Sequence, residues 1–281
     1  MSAQTAGVPD VPSLVAIVVL YGMAPDAAPT LEALAACDGL DACRHVVVVD
    51  HGAQPQDAAF VRLAARFAPG QALYRHDPRN PPLGSAYNAA IRAHLGDASY
   101  VLILDQDTRL PRDFICAGLD AAAANGHPAL MAPHMVAGDR IASPCRLVLG
   151  WGRRWAAPRP GWQSLRANTL INSGAWVHRR VFRDLGIWYS ESLPLYGTDT
   201  DFFRRLGRRE PRMIVLALCI AHDLSFDSST VDVKARKVDA MLAANRAVYA
   251  ADGPLVRAGV RCMNAVVRLK YAVQYRTLRF L

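Results

Sequence analysis

The sequence predicts an α/β fold in which helices flank a mostly parallel sheet. Continuous apolar runs alternate with segments of helical spacing, and this alternation is typical of repeated strand–helix units. Runs that are apolar on both faces indicate strands buried inside a parallel sheet. The predicted strands are "SLVAIVVLYG", "HVVVVDHG", "QALYRHD", "SYVLILDQDT", "ALMAPHMV" and "RMIVLALCIAHDLS".

The segments between these strands have the length and apolar spacing of amphipathic helices. They read "APTLEALAAC", "PQDAAFVRLAARF", "GSAYNAAIRAHLG" and "PRDFICAGLDAAAANG". Thr30 is expected to cap the first helix at its N-terminus, because a threonine hydroxyl can accept a hydrogen bond from a first-turn N–H.

Residues 138–168 lack periodicity and are rich in Trp, Arg, Pro and Gly, which predicts a long functional loop. Its arginines suit phosphate groups and its tryptophans suit stacking on a sugar or base. The alternative is a solvated loop with one buried tryptophan. The side chains concerned are Arg153, Arg154, Trp155 and Trp162.

The length and composition predict a folded chain with one large core. The chain has 281 residues, of which 52% are hydrophobic and 20% are charged. We expect a main domain over residues 1–228, with halves at about 13–110 and 111–228, and a helical extension over residues 229–281.

The net charge of +8 suits an anionic ligand, a nucleic acid or an acidic membrane surface. The six cysteines form no C-x-x-C pair, and several lie in apolar runs, so they are expected to be buried free thiols in a reducing compartment rather than a disulfide framework. The N-terminal residues do not resemble a secretory signal, and no apolar run approaches the roughly 20 residues needed to span a bilayer. The expected location is therefore the cytoplasm.

Three aspartates fall where predicted strands end. Asp50 ends the second strand, while Asp105 and Asp107 follow the fourth in the pattern Asp-x-Asp. Ligands of parallel sheets bind outside the carboxyl ends of the strands, so these acids are expected to line one crevice. Two hard oxygen donors suit Mg²⁺ or Mn²⁺, which also bind diphosphate. Taken alone, the pair could equally be two solvated aspartates in a loop.

Seven sequence blocks, taken in order, resemble the family 2 glycosyltransferases, which have the GT-A fold. They are "IVVLYG", "HVVVVDHG", "RNPPLGSAYNAAI", "VLILDQDT", "NSGAWVHRRVF", "YGTDTDFF" and "CIAHDLS", within about residues 14–225. The sequence "LDQDT" is most similar to that of bacterial rhamnosyltransferases. The resemblance implies an inverting, metal-dependent enzyme that moves a sugar from a nucleotide donor onto a glycan or lipid-linked glycan of a bacterial surface polysaccharide. The implied donor is dTDP-L-rhamnose, with a UDP-hexose as the alternative.

The resemblance also implies roles for individual residues. The metal ligands would be Asp107 and His222, although a histidine at a strand end can be purely structural. The residues implied to contact the nucleotide sugar are Asp50, Asn80, Gly84, Asn88, Asp105 and Gln106. The alternatives are that Asp50 caps a loop, that Gly84 starts a helix, and that Asn88 is exposed on it.

The general base implied by the resemblance is Asp199 in "YGTDTDFF", and Asp201 is the rival. The family motif often has Glu where this chain has Thr198, so an inactive sugar-binding relative is an alternative. "NSGAW" would line the acceptor side or form a tight turn. A nucleotidyltransferase should carry a basic Gly-rich loop after the first strand, but "LYGMAPDAAPT" has no basic residue. A nucleic-acid-binding protein is disfavoured because its acids would oppose phosphate without a metal.

The C-terminal residues 253–281 contain five Arg, one Lys and no acid. At 100° per residue, Arg257, Arg261, Arg268 and Arg279 share one narrow helical face. Such a helix can lie on an anionic membrane surface. It can equally dock its apolar face on the main domain or on the second subunit of a homodimer.

Overall fold

The computed structural model describes residues 12–222 and 230–280, apart from the side chain of His222. It confirms the α/β fold, with a central sheet between layers of helices and further helices at the C-terminus. The strands are β1 (Leu14–Leu20), β2 (Cys43–Asp50), β3 (Ala72–His76), β4 (Tyr100–Asp105), β5 (Thr108–Arg109), β6 (Leu130–Ala137), β7 (Arg140–Ser143), β8 (Cys145–Val148), β9 (Trp151–Arg154), β10 (Gly161–Ser164), β11 (Asn168–Thr169), β12 (Ala175–His178) and β13 (Arg212–His222). The helices are α1 (Pro29–Ala35), α2 (Asp57–Ala64), α3 (Leu83–His94), α4 (Phe114–Ala124), α5 (Arg179–Arg183), α6 (Thr198–Arg209), α7 (Val231–Val248) and α8 (Pro254–Tyr275).

The central sheet has ten strands within the described residues, in the order β10-β13-β6-β12-β4-β1-β2-β3, with β5 beside β13 and β7 beside β6. The pairs β1–β2, β1–β4, β2–β3 and β6–β13 are parallel. Strand β12 is antiparallel to both of its neighbours, β4 and β6. Strand β12 therefore joins two parallel parts of the sheet, and the short strands β5, β7 and β10 are added antiparallel to β13 and β6.

The buried strands have apolar side chains on both faces because helices cover both sides of the sheet. In β1, Val15 and Ile17 belong to the core that includes Phe202 of α6. Ala16 and Val18 belong to the other core. These alternating contacts explain why the strands appear in the sequence as continuous apolar runs.

The strand register brings two of the predicted acids to one edge of the sheet. Leu20 of β1 lies opposite Asp50, and Val19 lies opposite Asp105. The two acids therefore flank the end of β1, as expected for the carboxyl ends of parallel strands.

The prediction of a long loop over residues 138–168 was wrong. Strands β8, β9 and β11 form a separate sheet, and β10 pairs with β13. These strands are two to four residues long and carry exposed side chains such as Arg153 and Arg154, so they show no clear apolar alternation. Trp155 is buried and its indole N–H donates to the Asn168 side chain at 3.1 Å, while Trp162 is exposed beneath the Arg212 guanidinium.

All six cysteines lie in the described part of the chain and are free, as predicted, but only Cys37 and Cys43 are buried, while Cys219 and Cys262 are exposed. Burial raises the pKa of Cys37 and of Cys43 to about 12. These two thiols are therefore protonated at neutral pH and poorly reactive.

The C-terminal helices pack on the main domain through polar contacts. The Trp151 indole donates to the Asn264 side chain at 3.2 Å, and the Asn245 amide donates to the Leu149 carbonyl at 3.3 Å. Arg204 of α6 forms an ion pair with Asp252, just before α8, at 2.9 Å. The expected boundary between residues 228 and 229 lies outside the described residues.

The predicted basic face of the C-terminal helix is wrong in part. Arg268 is partly buried, pairs with Asp239 of α7 and donates to the Phe280 carbonyl. Arg279 pairs with Asp232, also on α7. Two of its four arginines therefore hold the C-terminal helices to each other. None of the helices in the described ranges is both long and apolar enough to cross a membrane.

Candidate active site

Thr30 fixes the Asp-x-Asp turn between β4 and β5, which we term the acid turn (residues 105–107). The Thr30 hydroxyl accepts a hydrogen bond from the Thr108 N–H at 2.7 Å, and its oxygen lies 2.5 Å from the Asp105 carbonyl. The Thr30 N–H donates to the Gln106 carbonyl. Thr30 is fully buried, and Ala28, rather than Thr30, occupies the N-cap position of α1. The expected capping role was therefore wrong, since this side chain instead fixes the backbone between the two acids.

Ser173 supports the same turn from the other side. The Asp105 N–H donates to the Ser173 hydroxyl at 2.9 Å, and the hydroxyls of Ser173 and Thr108 are 2.6 Å apart. Asn172 and Ser173 are buried, and Trp176 lies in the core of the sheet. The segment "NSGAW" thus supports the acid turn from behind, and its expected position on the acceptor side stays a prediction.

The acid turn has the donor chemistry for a hard divalent cation. Asp105 and Asp107 supply carboxylates one residue apart, and His222 of β13 pairs with Thr108 of β5 in the antiparallel ladder. The backbone of His222 is thus close to the turn, as its predicted role requires. The described side chains include no group of three or more His, Cys, Asp and Glu that could hold a metal. Mg²⁺ is ordinarily bound by one or two carboxylates plus substrate phosphates, and the acid pair fits that arrangement.

Asp50 and Gln106 make protein contacts at the strand ends. The Asp50 carboxylate is buried and accepts from the Gly52 N–H at 2.7 Å and the Tyr74 hydroxyl at 2.6 Å. The Gln106 side-chain oxygen accepts from the Tyr21 N–H at 2.8 Å, which leaves the Tyr21 ring exposed at the end of β1. Asp50 is fully buried in this structure, so its contact with a nucleotide stays a prediction.

Helix α3 positions the segment that leads to α6. A Cβ atom on Gly84 would lie 2.1 Å from the Ser190 carbonyl oxygen, so only glycine permits this approach. The Asn88 amide donates to the Tyr189 carbonyl at 2.9 Å and to Glu191 at 2.8 Å, and its oxygen accepts from the Tyr189 N–H. Asn88 is therefore buried, in contrast to the exposed alternative. Their predicted nucleotide contacts stay untested, as does that of Asn80, which lies exposed in a turn with φ +46°.

Asp199 lies in the first turn of α6 and is partly buried. Gly197 precedes the helix with φ +80°, and the Thr198 hydroxyl donates to the Leu195 carbonyl at 3.0 Å. Asp199 accepts from the Thr200 N–H at 2.7 Å. Desolvation nevertheless raises the pKa of Asp199 above its ordinary value, since this bond offsets only part of the burial. A carboxylate with a raised pKa is a stronger base, as proton abstraction requires.

Asp201 has a structural partner. Its carboxylate pairs with Arg205, four residues later, at 2.7 Å. The Arg205 guanidinium also donates to the Trp188 carbonyl at 2.7 Å. This interaction fixes α6 to the preceding segment and favours Asp199 over Asp201 as the base.

A buried aromatic layer lies close to both Asp105 and Asp199. Burial is the main cause that raises the pKa of Tyr87 and of Tyr189, and the negative charges of both aspartates raise it further. Tyr189 stacks on Phe202 of α6 with ring centroids 4.1 Å apart. The Tyr189 hydroxyl donates to the Asn172 side chain at 3.1 Å, next to Ser173, so one aromatic layer contacts both α6 and the segment that supports the acid turn.

Comparison with known proteins decides the family. Residues 16–186 match the family model described as "Glycosyl transferase family 2". The chain belongs to glycosyl transferase family 2. No curated protein matches it. The family 2 match includes Asp50, Asp105 and Asp107, whereas Asp199 and His222 lie beyond its end.

Solved structures with similar folds support the GT-A architecture of this family 2 chain. S. aureus TarS is 17% identical with a TM-score of 0.53, over 88% of this chain and 41% of TarS. GalNAc-T7 with UDP, GalNAc and Mn²⁺ is 10% identical with a TM-score of 0.63, over 86% of this chain and 48% of that chain. The mannosyltransferase PcManGT of Pyrobaculum calidifontis, in complex with GDP-Man and Mn²⁺, is 19% identical with a TM-score of 0.57, over 96% and 84%. The chain thus spans less than half the length of the first two structures.

Thr30→Val should weaken metal binding without touching either acid. Valine fills the same volume but offers no acceptor to the Thr108 N–H, so the acid turn loses the hydrogen bond that holds it to α1. We expect metal affinity to fall about 10-fold, the lower end for loss of a supporting partner. We also expect the free energy of unfolding to fall by about 1–3 kcal/mol for the unsatisfied N–H. Calorimetric Mn²⁺ titration in the presence of a nucleoside diphosphate measures the first effect, and unchanged affinity would contradict the supporting role.

Proposed function

We propose that the protein is an inverting, metal-dependent glycosyltransferase that uses a nucleotide sugar. The observation that carries the proposal is that two separate acidic groups lie near one aromatic layer. Asp105 and Asp107 form a rigid turn at the strand ends, while Asp199, with a raised pKa, stands on a separate helix. An inverting transfer needs this division between groups that bind the diphosphate and a group that accepts the acceptor's proton.

The residues that would hold the metal are Asp107 and His222, with Asp105 beside the ribose or the metal. A bound Mg²⁺ or Mn²⁺ neutralises charge on the departing diphosphate. The hydrogen bonds of Thr30 and Ser173 keep the turn in one geometry before the donor binds. Such pre-organisation lowers the cost of fitting the turn to the diphosphate.

Asp199 would accept the proton of the acceptor hydroxyl as that oxygen attacks the anomeric carbon. Its partial burial excludes some water, so the carboxylate is poorly solvated and keeps a higher affinity for the proton. A raised carboxylate pKa is typical of catalytic acids and bases, and this supports an enzyme over a catalytically inactive sugar-binding relative.

The donor we favour is dTDP-L-rhamnose, because the sequence "LDQDT" resembles that of bacterial rhamnosyltransferases. A UDP-hexose is the second candidate. The acceptor would be a glycan or lipid-linked glycan of a bacterial surface polysaccharide. The location that follows is the cytoplasm, at the inner face of the membrane where a lipid-linked acceptor would be held. A nucleotidyltransferase is less well supported, since the segment after β1 has no basic residue.

A panel of nucleotide sugars, each tested with and without Mn²⁺ or Mg²⁺, examines this proposal. We expect the melting temperature to rise with dTDP-L-rhamnose or a UDP-hexose only when the metal is present, because the acid turn and the diphosphate repel each other without it. Stabilisation by nucleoside triphosphates alone would favour the nucleotidyltransferase. An absence of stabilisation by every nucleotide sugar would contradict the proposed function.

A further inference from the structure

Helix α8 has an outward face that is apolar and uncovered. Its inward face includes the buried side chains of Val260, Asn264 and Val267. On the opposite side, four large apolar side chains fall within a sector of about 60° at 100° per residue. These four, with Leu278 after the helix, form what we term the outer stripe: Leu255 (87% exposed), Val266 (61%), Leu269 (57%), Val273 (70%) and Leu278 (80%).

Leu278 joins the outer stripe because the chain turns back after α8. Arg276 adopts φ +48°, and the Thr277 N–H donates to the Ala272 carbonyl at 3.0 Å. Phe280 is then buried against the rings of Tyr271 and Tyr275. A shallow groove of about 320 Å³ opens beside the turn and is lined by Leu269, Ala272, Val273, Arg276, Thr277 and Leu278.

Cations border the outer stripe and acids are missing from the helix. On a helical wheel, Lys270 and Arg276 lie about 60° to either side of the centre of the outer stripe, and Arg261 lies further from that centre. All three side chains are exposed. Residues 254–275 contain no Asp or Glu. Arg268, which lies further from the outer stripe, pairs with Asp239. The exposed surface of α8 therefore has an apolar centre, and every charged residue of the helix is a cation.

We propose that the outer stripe binds the surface of an anionic lipid bilayer. The apolar side chains would enter the boundary between headgroups and acyl chains, while Arg261, Lys270 and Arg276 would meet lipid phosphates. A second copy of the chain fits less well. In a two-fold dimer the same face meets itself, so its cations would face cations with no acid on the helix to pair with them. This inference does not depend on which sugar the enzyme transfers.

The proposal is tested with full-length protein and two vesicle types, phosphatidylcholine alone and phosphatidylcholine with phosphatidylglycerol. Val273→Glu should lower affinity for the anionic vesicles at least 10-fold, because it places a charge in the apolar centre. Val61→Glu is the matched control, since Val61 is 67% exposed on the distant helix α2. It makes the same charge change and should have little effect. Vesicle co-sedimentation measures both affinities.

A second variant separates charge from apolar contact. Lys270→Gln with Arg276→Gln should lower affinity for anionic vesicles about 25-fold, on the basis of about fivefold for each cation near an anionic surface. Both substitutions are on the surface, so the melting temperature and its metal-dependent rise with nucleotide should be unchanged. If the unmodified protein showed no metal-dependent rise in melting temperature with nucleotide, the proposed function would be contradicted. The vesicle affinities would still test the membrane proposal.

Two results would overturn the membrane proposal. One is anionic-vesicle binding by both variants that equals that of the unmodified protein. The other is a dimer of the unmodified protein, seen by analytical ultracentrifugation without lipid, that Val273→Glu converts to monomer. That second result would assign the outer stripe to a subunit interface.

Discussion

Asp199→Asn is expected to lower sugar transfer about 10²–10⁴-fold, the range for loss of a general base. The asparagine amide has nearly the same shape and can still accept a hydrogen bond from the Thr200 N–H, so α6 should start as before. Donor and metal binding should stay nearly unchanged, because the acid turn lies on other elements. Initial rates at saturating donor, with calorimetric titration of the nucleotide, separate the two effects.

The pH dependence gives Asp199 a second signature. Transfer by the unmodified protein should fall as the pH drops through the raised pKa of Asp199, because the base is then protonated. The folded state binds this proton more tightly than the unfolded state, so stability is lost as the pH rises from the unfolded to the folded pKa. The Asn variant should therefore lack the acidic limb of the rate profile. It should also melt at a higher temperature than the unmodified protein at neutral pH.

Asp201→Asn is the matched control for this experiment. It removes the same charge two residues away and breaks the Arg205 ion pair. We expect a lower melting temperature, consistent with a loss of up to about 1 kcal/mol for a partly exposed pair. Transfer should fall far less than in Asp199→Asn. An inactive Asp201 variant beside an active Asp199 variant would move the base by two residues, and two active variants would refute the mechanism.

Asp107→Asn is expected to nearly abolish metal-dependent binding of the donor and, with it, transfer. An amide oxygen is a weaker ligand than a carboxylate, and the substitution leaves Asp105 as the only carboxylate of the Asp-x-Asp turn. The loss of metal affinity should exceed the 10–100-fold that removal of a supporting partner costs. Titration of Mn²⁺ in the presence of a nucleoside diphosphate measures it.

Asp139→Asn provides the control for charge alone. Asp139 lies in an exposed turn beside Arg140, and its removal changes the net charge by the same amount. We expect its metal affinity and transfer to equal those of the unmodified protein. Chelation by EDTA should stop transfer in both, and added Mn²⁺ should restore it. Activity that survives both EDTA and Asp107→Asn would show that the acid turn does not hold a catalytic metal.

The sequence was informative where side chains report directly on burial. Strands such as β1 and β2 are apolar on both faces, so they were predictable from the continuous apolar runs in the sequence. The positions of Asp50 and Asp105 at strand ends followed from the parallel arrangement. The short strands of residues 138–168 were not predictable, because they are only two to four residues long and their arginines are exposed, so no apolar alternation marks them.

The supporting residues of the site were hidden for a related reason. Thr30 contacts Thr108 across 78 residues, and Asn88 contacts Tyr189 across 101. A threonine near the start of a helix has a local explanation as a cap, and nothing in its neighbourhood indicates the distant turn. The ion pairs of Arg268 and Arg279 were hidden in the same way. A helical wheel gives the direction of each side chain, but it does not show the acids of α7 that pair with them.

The antiparallel strand β12 has a consequence for how the chain folds. Val101 of β4 pairs with Val177 of β12, and Met131 of β6 pairs with Trp176, so the middle of the sheet closes only after distant parts of the chain meet. The strands β1, β2 and β3, by contrast, are near neighbours in sequence. Contacts between distant residues slow folding because a long loop must be closed before they form. Strands β1, β2 and β3 should therefore gain structure early, while the Asp105 turn reaches its final geometry only when β12 brings Ser173 into place.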